Sequence, residues 1–306
     1  MQQPRELEGI LAVWKPSGWT SHDVVAKVRG ITRMRRIGHA GTLDPQVTGV
    51  LPLCLGRATR AVEYLQELPK AYVAVLRLGV ATDTEDLTGT VTETADASHV
   101  TEEMVRETLA RFVGEIEQVP PMYSAVKVGG RKLYELAREG KTVERKPRKV
   151  TIHSLDLDFA ELGGSEPRIG FKTVCSKGTY IRTLCVDIGR ALGVPAAMES
   201  LTRTMSAGLE ASDCLTIERI EALAKSGELA EALLPVDRAL DHLPRVDLDA
   251  AAASRAARGQ RVGMPAGQAA GLVRLYGAGR FIGLFEAEAG AGVLKPVKVF
   301  ASADEC

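Results

Sequence analysis

The stretch Gly38-His39-Ala40-Gly41-Thr42-Leu43-Asp44-Pro45 places one carboxylate on a glycine-containing turn between a basic segment and an apolar run. Gly38 and Gly41 permit positive φ and the close approach of another backbone. Pro45 disfavours the α region for Asp44, so this carboxylate is expected on extended or turn backbone. The pattern predicts an active-site turn around Asp44, although an isolated Asp-Pro pair is typical of an ordinary turn.

Two segments flank this turn and predict the elements on either side of it. Upstream, Ser21 can cap a helix over residues 21–33 in which the apolar side chains follow helical spacing. Downstream, the apolar run 50–55 predicts a buried strand, and Pro52 within it indicates an edge position or a bulge. Residues 24–36 hold five cations and no acid, namely Lys27, Arg29, Arg33, Arg35 and Arg36. A positively charged segment therefore leads directly into the turn.

The sequence around the turn resembles a known family. The strings GHAGTLDP at residues 38–45 and TGVLPLCLGRATR at residues 48–60 are similar to the catalytic motif of the TruB family of tRNA pseudouridine synthases. Further similar segments lie in the family's order: KPSGWTS at 15–21, KAY at 70–72, TDTED at 82–86, PPMYSAVKVGGRKLYELAREG at 120–140 and CSKGTYIRTLCVDIG at 175–189. The resemblance implies isomerisation of the T-loop uridine conventionally numbered 55, in which the base is detached from N1 and rejoined through C5.

The resemblance also implies three catalytic residues. Asp44 matches the family's catalytic aspartate, and Arg182 matches the arginine that pairs with it and favours its charged form. Tyr72 matches the tyrosine that stacks on the target base and helps to remove the C5 proton. Without the resemblance, Tyr72 is typical of a core or cross-strand aromatic residue, and Arg182 is typical of a surface arginine on a helix.

A single carboxylate suffices for this chemistry, and three routes are open to it. Asp44 can attack ribose C1′, add to C6 of the base, or remove a proton from ribose C2′ to give a glycal. None of these routes requires a redox cofactor or a metal ion, so no cofactor and no metal site are expected. The acidic segment 82–86 lacks the ligand spacing of a calcium loop and is interpreted as a structural turn near the RNA cleft.

The substrate RNA is expected to contact residues on several segments. A uridine stacked in a loop must be flipped out, and His39 matches the family histidine that supports the loop by stacking within it. A lone histidine near a turn is otherwise typical of local hydrogen bonding. Tyr180 is expected as a second wall of the base pocket, and Lys15 and Lys70 are expected to contact phosphate or to brace the turn. The remaining predicted RNA contacts are the cations Arg36, Lys127, Arg131 and Lys132.

Segregated charge reconciles a net charge of zero with RNA binding. Residues 127–149 carry nine cations against three acids, whereas residues 82–103 carry seven acids and no Lys or Arg. A positive surface of this kind binds phosphates through counterion release, although a charged run alone is typical of a solvated helix face. Because Pro-Pro precedes it and glycines interrupt it, the segment 123–149 is predicted to be a mobile lid that closes over the T-arm.

The composition is that of an ordinary globular protein. The 306 residues are 45% hydrophobic and 25% charged, and no apolar stretch reaches the length of a membrane span. Residues 1–8 lack the apolar core of a signal peptide, which favours a cytoplasmic location. A monomer with no obligatory protein partner is expected. Five cysteines without a paired spacing are interpreted as reduced thiols: Cys54, Cys175, Cys185, Cys214 and Cys306.

The hydrophobic pattern predicts an α+β fold with a mixed, largely antiparallel central sheet of the pseudouridine synthase type and flanking helices. Strands are predicted at 10–14, 50–55, 72–78, 89–92, 150–159 and 169–174. Helices are predicted at 21–33, 57–68, 101–113, 131–139, 179–192 and 216–225. Glycine-punctuated strands at 272–276, 280–285 and 293–300 predict a small β-rich domain that resembles the family's PUA-like domain in position. The expected division is a catalytic domain over 1–243 and a PUA-like RNA-binding domain over 244–306.

Two other classes of function remain open from the residues alone. One is a tRNA-binding or tRNA-folding chaperone without catalysis on the same scaffold. The other is a hydrolase that uses an aspartate nucleophile on phosphate or glycosidic bonds. The hydrolase is disfavoured because the sequence shows neither a second carboxylate at helical or turn spacing from Asp44 nor a phosphate-binding P-loop.

Overall fold

The computed structural model describes residues 7–265 and 267–301 of the chain. Its strands are β1 Gly9–Lys15, β2 Ile37–His39, β3 Thr48–Leu55, β4 Lys70–Leu78, β5 Val80–Thr82, β6 Val91–Thr94, β7 Gly114–Gln118, β8 Lys127–Val128, β9 Arg131–Lys132, β10 Arg148–Glu161, β11 Arg168–Cys175, β12 Ala196–Ser206, β13 Leu209–Glu210, β14 Arg245–Leu248, β15 Val262–Gly263, β16 Gly271–Gly277, β17 Arg280–Glu288 and β18 Val293–Val299. Its α-helices are α1 Ser21–Thr32, α2 Val62–Glu67, α3 Glu102–Arg111, α4 Leu133–Arg138, α5 Ile181–Ala191, α6 Ile217–Ser226 and α7 Ala250–Ala257.

A central sheet joins the parts of the chain that the sequence comparison singled out. Its strands lie in the order β1-β3-β12-β4-β11-β10-β7, with β2 added beside β3 and β13 beside β12. Neighbouring strands in this sheet run antiparallel, except that β3 and β12 run parallel. The turn that carries Asp44 leads directly into β3, one member of this parallel pair.

Helices cover the sheet over three apolar clusters. Helices α1 and α6 pack on the side of β1 and β3 that carries Leu11 and Leu51. The opposite side of the same strands packs against α2 and the segment that precedes it. Helices α3 and α5 pack against β4, β10, β11 and β12, and this cluster includes Leu43 and Val47 of the predicted active-site turn. The turn is therefore anchored in the largest apolar cluster by side chains on either side of Asp44.

The chain from Arg245 onward forms a separate five-stranded sheet with strand order β14-β16-β17-β18-β15. This sheet and α7 enclose an apolar cluster of their own. The sheet also contacts the larger sheet, since Leu284 and Phe300 belong to the cluster that contains Ile10 of β1 and Val50 of β3. The predicted α+β class, the largely antiparallel sheet and the β-rich C-terminal region are confirmed.

Most predicted elements occur within a few residues of their expected positions. The predicted helix 131–139 begins as strand β9, and β2, β5, β7, β8, β13, β14, β15 and α7 were not predicted. The segment 57–68 begins as a 3-10 turn over Gly56–Ala61 and becomes α2 only afterwards. The strand expected at 89–92 lies at Val91–Thr94. Strand β12, at the centre of the sheet, was not predicted. Register shifts after Met198 and after Arg203 interrupt the alternation of buried and exposed residues on β12, so a period-of-two pattern is not visible in the sequence.

The four described cysteines are free thiols, and Cys54, Cys175 and Cys185 are buried. Residues 1–6, 266 and 302–306 of the two predicted domains lie outside the described residues, and Cys306 is among them. Among the described helices, none has both the length and the apolar composition that crossing a membrane requires.

Candidate active site

Residues 40–47, called the catalytic turn after the role predicted for Asp44, are held by hydrogen bonds on both sides of Asp44. The Leu43 N–H donates to the Ser21 hydroxyl at 2.9 Å, and that hydroxyl donates back to the Leu43 carbonyl at 3.3 Å. The Val47 N–H donates to the Asp44 carbonyl at 3.1 Å. Because Leu43 and Val47 are buried while the Asp44 side chain is 48% exposed, the turn presents its carboxylate at the surface.

Arg182 lies against this carboxylate, as expected. Its Nη2 atom is 3.0 Å from Asp44 Oδ2, and the arginine side chain is only 7% exposed. The same guanidinium donates to the carbonyls of Thr84 at 3.0 Å and Tyr123 at 2.8 Å. Three separate segments therefore fix the arginine in one position, which a surface ion pair alone does not achieve. Oδ1 of Asp44 accepts no hydrogen bond from the described residues.

Lys15 is a buried brace beneath the turn. Its ammonium group donates to the carbonyls of Pro16, Trp19 and Pro45, with Nζ 2.9 Å from the Pro45 oxygen. Burial lowers the pKa of Lys15 to about 8, while the nearby Asp44 charge opposes that shift. Of the two roles expected for this lysine, these contacts are those of a brace, and a contact with phosphate stays a prediction.

Arg203, on β12, holds the other side of the turn and was not predicted as a site residue. Its guanidinium donates to the carbonyls of Gly41, Thr42 and Val50, with Nε 2.8 Å from the Val50 oxygen. The side chain is 1% exposed, and Arg203 lies opposite Tyr72 in the register of β12 and β4. The sequence signal that could have found it is the Leu-Thr-Arg string at 201–203, whose role is not evident until β12 is placed beside β3.

Tyr72 and Lys70 lie on β4, close to Arg203. Tyr72 is buried, and burial raises its pKa despite the opposing charge of Arg203, so its phenol is neutral at neutral pH. The Lys70 ammonium donates to the carbonyls of Gln66 and Leu68, both at 2.8 Å. Burial lowers the pKa of Lys70 to about 8. Lys70 therefore holds the end of α2 and makes no hydrogen bond to the described catalytic turn, and its contact with RNA stays a prediction.

His39 ends β2, just before the catalytic turn, and Tyr180 lies just before α5. The His39 ring is partly buried and meets the exposed His22 ring edge-on, with centroids 5.4 Å apart. Its Nδ1 atom is buried without a hydrogen-bond partner among the described residues, and burial lowers its pKa. Tyr180 is half-buried and immediately precedes α5, which carries Arg182. A neutral imidazole and a phenol ring are surfaces on which a base can stack.

The acidic segment 82–86 supports Arg182. Besides the Thr84 carbonyl, its Glu85 carboxylate accepts a hydrogen bond from the Thr183 hydroxyl at 2.6 Å. The Met198 N–H donates to the Glu85 carbonyl at 2.9 Å, which ties the segment to β12. Within the described part of the chain, no cluster of three or more potential metal ligands occurs. The contacts are those of the structural turn that was expected.

Among the predicted basic contacts on the lid and on the approach to the turn, Arg36, Lys127 and Arg131 are exposed and Lys132 is partly buried. Arg36 donates to the Thr59 hydroxyl at 2.9 Å. Lys127 has no ion-pair partner among residues 7–265 and 267–301, whereas Arg131 pairs with Glu139. The Lys132 ammonium lies 5.4 Å from the centre of the Tyr134 ring. These four cations are available at the surface for phosphates, and their contact with RNA stays a prediction.

Comparison with known proteins identifies the family. Residues 29–181 match the TruB family pseudouridylate synthase (N terminal domain), residues 182–241 the tRNA pseudouridylate synthase B C-terminal domain, and residues 244–300 the TruB C-terminal model of pseudouridine synthase II. The chain belongs to the TruB family. It is accordingly a pseudouridine synthase, an enzyme of the isomerase class.

Individual relatives agree with this assignment over most of the chain. The tRNA pseudouridine synthase B of Bacillus licheniformis is 52% identical over 240 residues, which cover 78% of this chain and 77% of that protein. The protein of the same name from Aromatoleum aromaticum is 45% identical over 297 residues, covering 97% and 94%. A crystal structure of a Cbf5-Nop10-Gar1 complex contains a similar chain, with a TM-score of 0.75, 29% identity, and coverage of 98% of this chain and 87% of that one.

Proposed function

We propose that this TruB-family synthase converts uridine 55 in the T loop of tRNA to pseudouridine, with Asp44 as the group that breaks and re-forms the glycosidic bond. The names of its curated relatives support tRNA as the substrate. The observation that carries the proposal is the Asp44–Arg182 pair, in which Oδ2 is held at 3.0 Å while the carboxylate remains half-exposed. A flipped nucleotide can therefore reach the free oxygen of Asp44 while the arginine keeps the group in place.

The residues around Asp44 support a division of roles. Arg182 stabilises the charged carboxylate of Asp44, which loses its hydrating water when the site closes over the substrate. Tyr72 remains protonated because burial raises its pKa. We therefore place its ring against the target base. A protonated phenol accepts the C5 proton only when it gives its own proton to another group. His39 supports the displaced loop and Tyr180 forms a wall of the base pocket. Asp44 acts on C1′, C6 or the C2′ proton, and all three routes need its unpaired oxygen.

Release of tritium from tRNA labelled at uracil C5 tests the proposal, because only isomerisation must exchange that hydrogen. We expect the wild-type protein to release tritium and to form pseudouridine in the T loop. Asp44→Asn should lower the rate at least about 1,000-fold while tRNA affinity stays within about threefold of wild type. Asp156→Asn, which changes an exposed aspartate on β10, is the matched control and should be fully active.

The alternatives give different results in the same assay. A chaperone without catalysis would bind and refold tRNA but release no tritium from wild-type protein. A hydrolase would liberate free uracil and leave no pseudouridine in the RNA. Equal activity of wild-type and Asp44→Asn protein would contradict the role of the carboxylate.

We further propose that the basic lid, residues 123–149, closes over the T-arm and that the domain after residue 243 binds RNA as a PUA-like domain. The lid is supported by small internal elements, since β8 and β9 contain two residues each. Hydrogen exchange measured with and without tRNA should show added protection of the lid and little change in the catalytic turn. Equal protection of the lid in both states would contradict closure. A monomer without an obligatory protein partner stays a prediction that mass measurement in solution can test.

A further inference from the structure

Gln118 ends β7 and holds the backbone of Tyr180 through both atoms of its amide. Its Nε2 donates to the Tyr180 carbonyl at 3.2 Å, and its Oε1 accepts from the Tyr180 N–H at 3.0 Å. The side chain is 1% exposed. Because the Tyr180 carbonyl needs a donor and the Tyr180 N–H needs an acceptor, only one orientation of the Gln118 amide makes both hydrogen bonds. A buried glutamine side chain without hydrogen-bond partners would lower the stability of the fold. This pair of bonds therefore specifies the contact between β7 and the start of α5.

The first turn of α5 depends on such contacts because it has no local cap. Helices are usually capped by Ser, Thr, Asp or Asn at the position that Tyr180 occupies. The Tyr180 side chain makes no capping hydrogen bond. The helix start is held from other elements instead, by Gln118 at Tyr180 and by Glu85 at the Thr183 hydroxyl. The register of α5 at its N-terminus is therefore set by tertiary contacts.

The first turn of α5 carries side chains of the proposed active site. Arg182 follows Tyr180 by two residues, and its Nη2 contacts both Asp44 and the Tyr123 carbonyl. Gln118 and Tyr123 are close in the chain: Gln118 ends β7, and Tyr123 is the first residue of the lid. A small rotation of the first turn would move the Arg182 guanidinium away from Asp44 and shift the Tyr180 ring at the same time. Displacements of about 1 Å are enough to change catalytic rates by about 100-fold.

We propose that Gln118 is a positioning residue of the synthase: its amide sets the start of α5 so that Arg182 meets Asp44 and Tyr180 borders the base pocket. Gln118 acts through these residues and does not itself touch the substrate. The inference rests on the proposed roles of Asp44, Arg182 and Tyr180. It adds a second contact, beside that of the Tyr123 carbonyl with Arg182, between the chain at the start of the lid and the first turn of α5.

Two substitutions separate positioning from packing. Gln118→Met preserves the length of the side chain and removes both hydrogen bonds. Gln118→Glu preserves its shape, and only the protonated acid can both donate to the Tyr180 carbonyl and accept from its N–H. Burial raises the pKa of a carboxyl at such a position, so the full contact should return as the pH falls. Gln260→Met, at an exposed glutamine beyond α7, is the control.

In the tritium-release assay on tRNA, Gln118→Met should lower kcat at least about tenfold and change tRNA affinity less than about threefold. The kcat deficit of Gln118→Glu, relative to wild type at the same pH, should shrink between pH 8 and pH 6. The control should match wild type. A kcat within about twofold of wild type for Gln118→Met, a parallel loss of affinity and kcat, or a deficit of Gln118→Glu that does not change with pH would overturn the positioning role.

Hydrogen exchange of the free protein gives a second test that needs no substrate. The amides of residues 179–184 should exchange faster in Gln118→Met than in wild type, while those of α3 should be unchanged. Wild-type exchange in this turn would overturn the inference. If the wild-type enzyme released no tritium from the T loop, the proposed function would fail, and the exchange experiment would still decide whether Gln118 fixes the start of α5.

Discussion

The catalytic turn and the basic lid use cations in opposite ways. Beneath the turn, Lys15 and Arg203 are buried, and each donates to three backbone carbonyls. In the lid, Arg131 and Lys141 share one exposed carboxylate, that of Glu139. The buried cations join backbone carbonyls from several segments, which makes the turn rigid. The exposed cations remain exchangeable and can transfer to phosphates.

The two regions therefore serve different needs: the turn holds the Asp44 carboxylate in position in advance, and the lid recruits the RNA substrate. A carboxylate that acts on a bound nucleotide must be held in place before the substrate arrives, and the buried donors hold it there. A surface that must close over a folded RNA needs side chains whose partners are easily replaced. Substitutions should therefore change stability in the turn and RNA affinity in the lid.

The largest expected effect is at Gly49, where β3 passes β12. Its φ is +115°, and a Cβ built there would lie 2.1 Å from the Arg203 carbonyl oxygen. Gly49→Ala should force the parallel pair apart and lower the free energy of unfolding by at least about 4 kcal/mol, measured by denaturant unfolding. Gly130→Ala in the lid, at φ +84° with open space around it, should cost about 1–2 kcal/mol. Similar losses at the two sites would contradict the proposed contrast in rigidity.

Removal of the Arg203 guanidinium should be the next largest effect. Arg203→Met leaves the carbonyls of Gly41, Thr42 and Val50 without their donor, and we expect a loss of about 3–4 kcal/mol in unfolding free energy. The synthase rate should fall as well, because the turn is no longer held. Arg131→Met in the lid is the control, and its thermal midpoint should equal that of wild type. An unchanged midpoint in Arg203→Met would show that the turn does not need this support.

Lys15 should give a smaller loss that depends on pH. Lys15→Met removes a donor from three carbonyls, of which that of Pro45 keeps the Gly18 N–H at 2.8 Å, and we expect about 2 kcal/mol lower stability at pH 7. The folded pKa of Lys15 is about 8, against 10.5 in the unfolded chain, so between these values the unfolded state binds more protons. The stability of wild type relative to Lys15→Met should therefore rise from pH 8 to pH 10. A difference that falls or stays constant in parallel denaturant titrations would contradict the lowered pKa.

The smallest change in stability is expected at Arg131, where the effect should appear in binding instead. Arg131→Met should bind tRNA more weakly and reduce the slope of log affinity against log salt by about one, if one phosphate contact is lost. Arg106→Met, on the exposed face of α3, is the control, because its i,i+4 pair with Glu102 resembles the Arg131 pair. An equal salt dependence in Arg131→Met and wild type would contradict a phosphate contact at this residue.

The sequence alone predicted the fold class and the central pair of the site. Helical and alternating patterns located most helices and strands, because each buries one face against the sheet. Asp44 and Arg182 were identified by the resemblance of their segments to the family motifs. The structure brings these two side chains together, with Arg182 on the helix 181–191. Lys15 and Lys70 were recognised as candidates, but the choice between phosphate contact and brace could not be made from their spacing.

What the sequence determined by itself was the local chemistry: which segments become helix or strand, and which turn carries an acid. What only the tertiary structure decided was which distant groups complete that turn. Arg203 and Gln118 act across strand pairs and helix ends that no local pattern specifies, since β12 is interrupted by register shifts and α5 has no cap of its own. Burial supplies the physical reason, because a buried donor or acceptor must find a partner wherever the fold provides one.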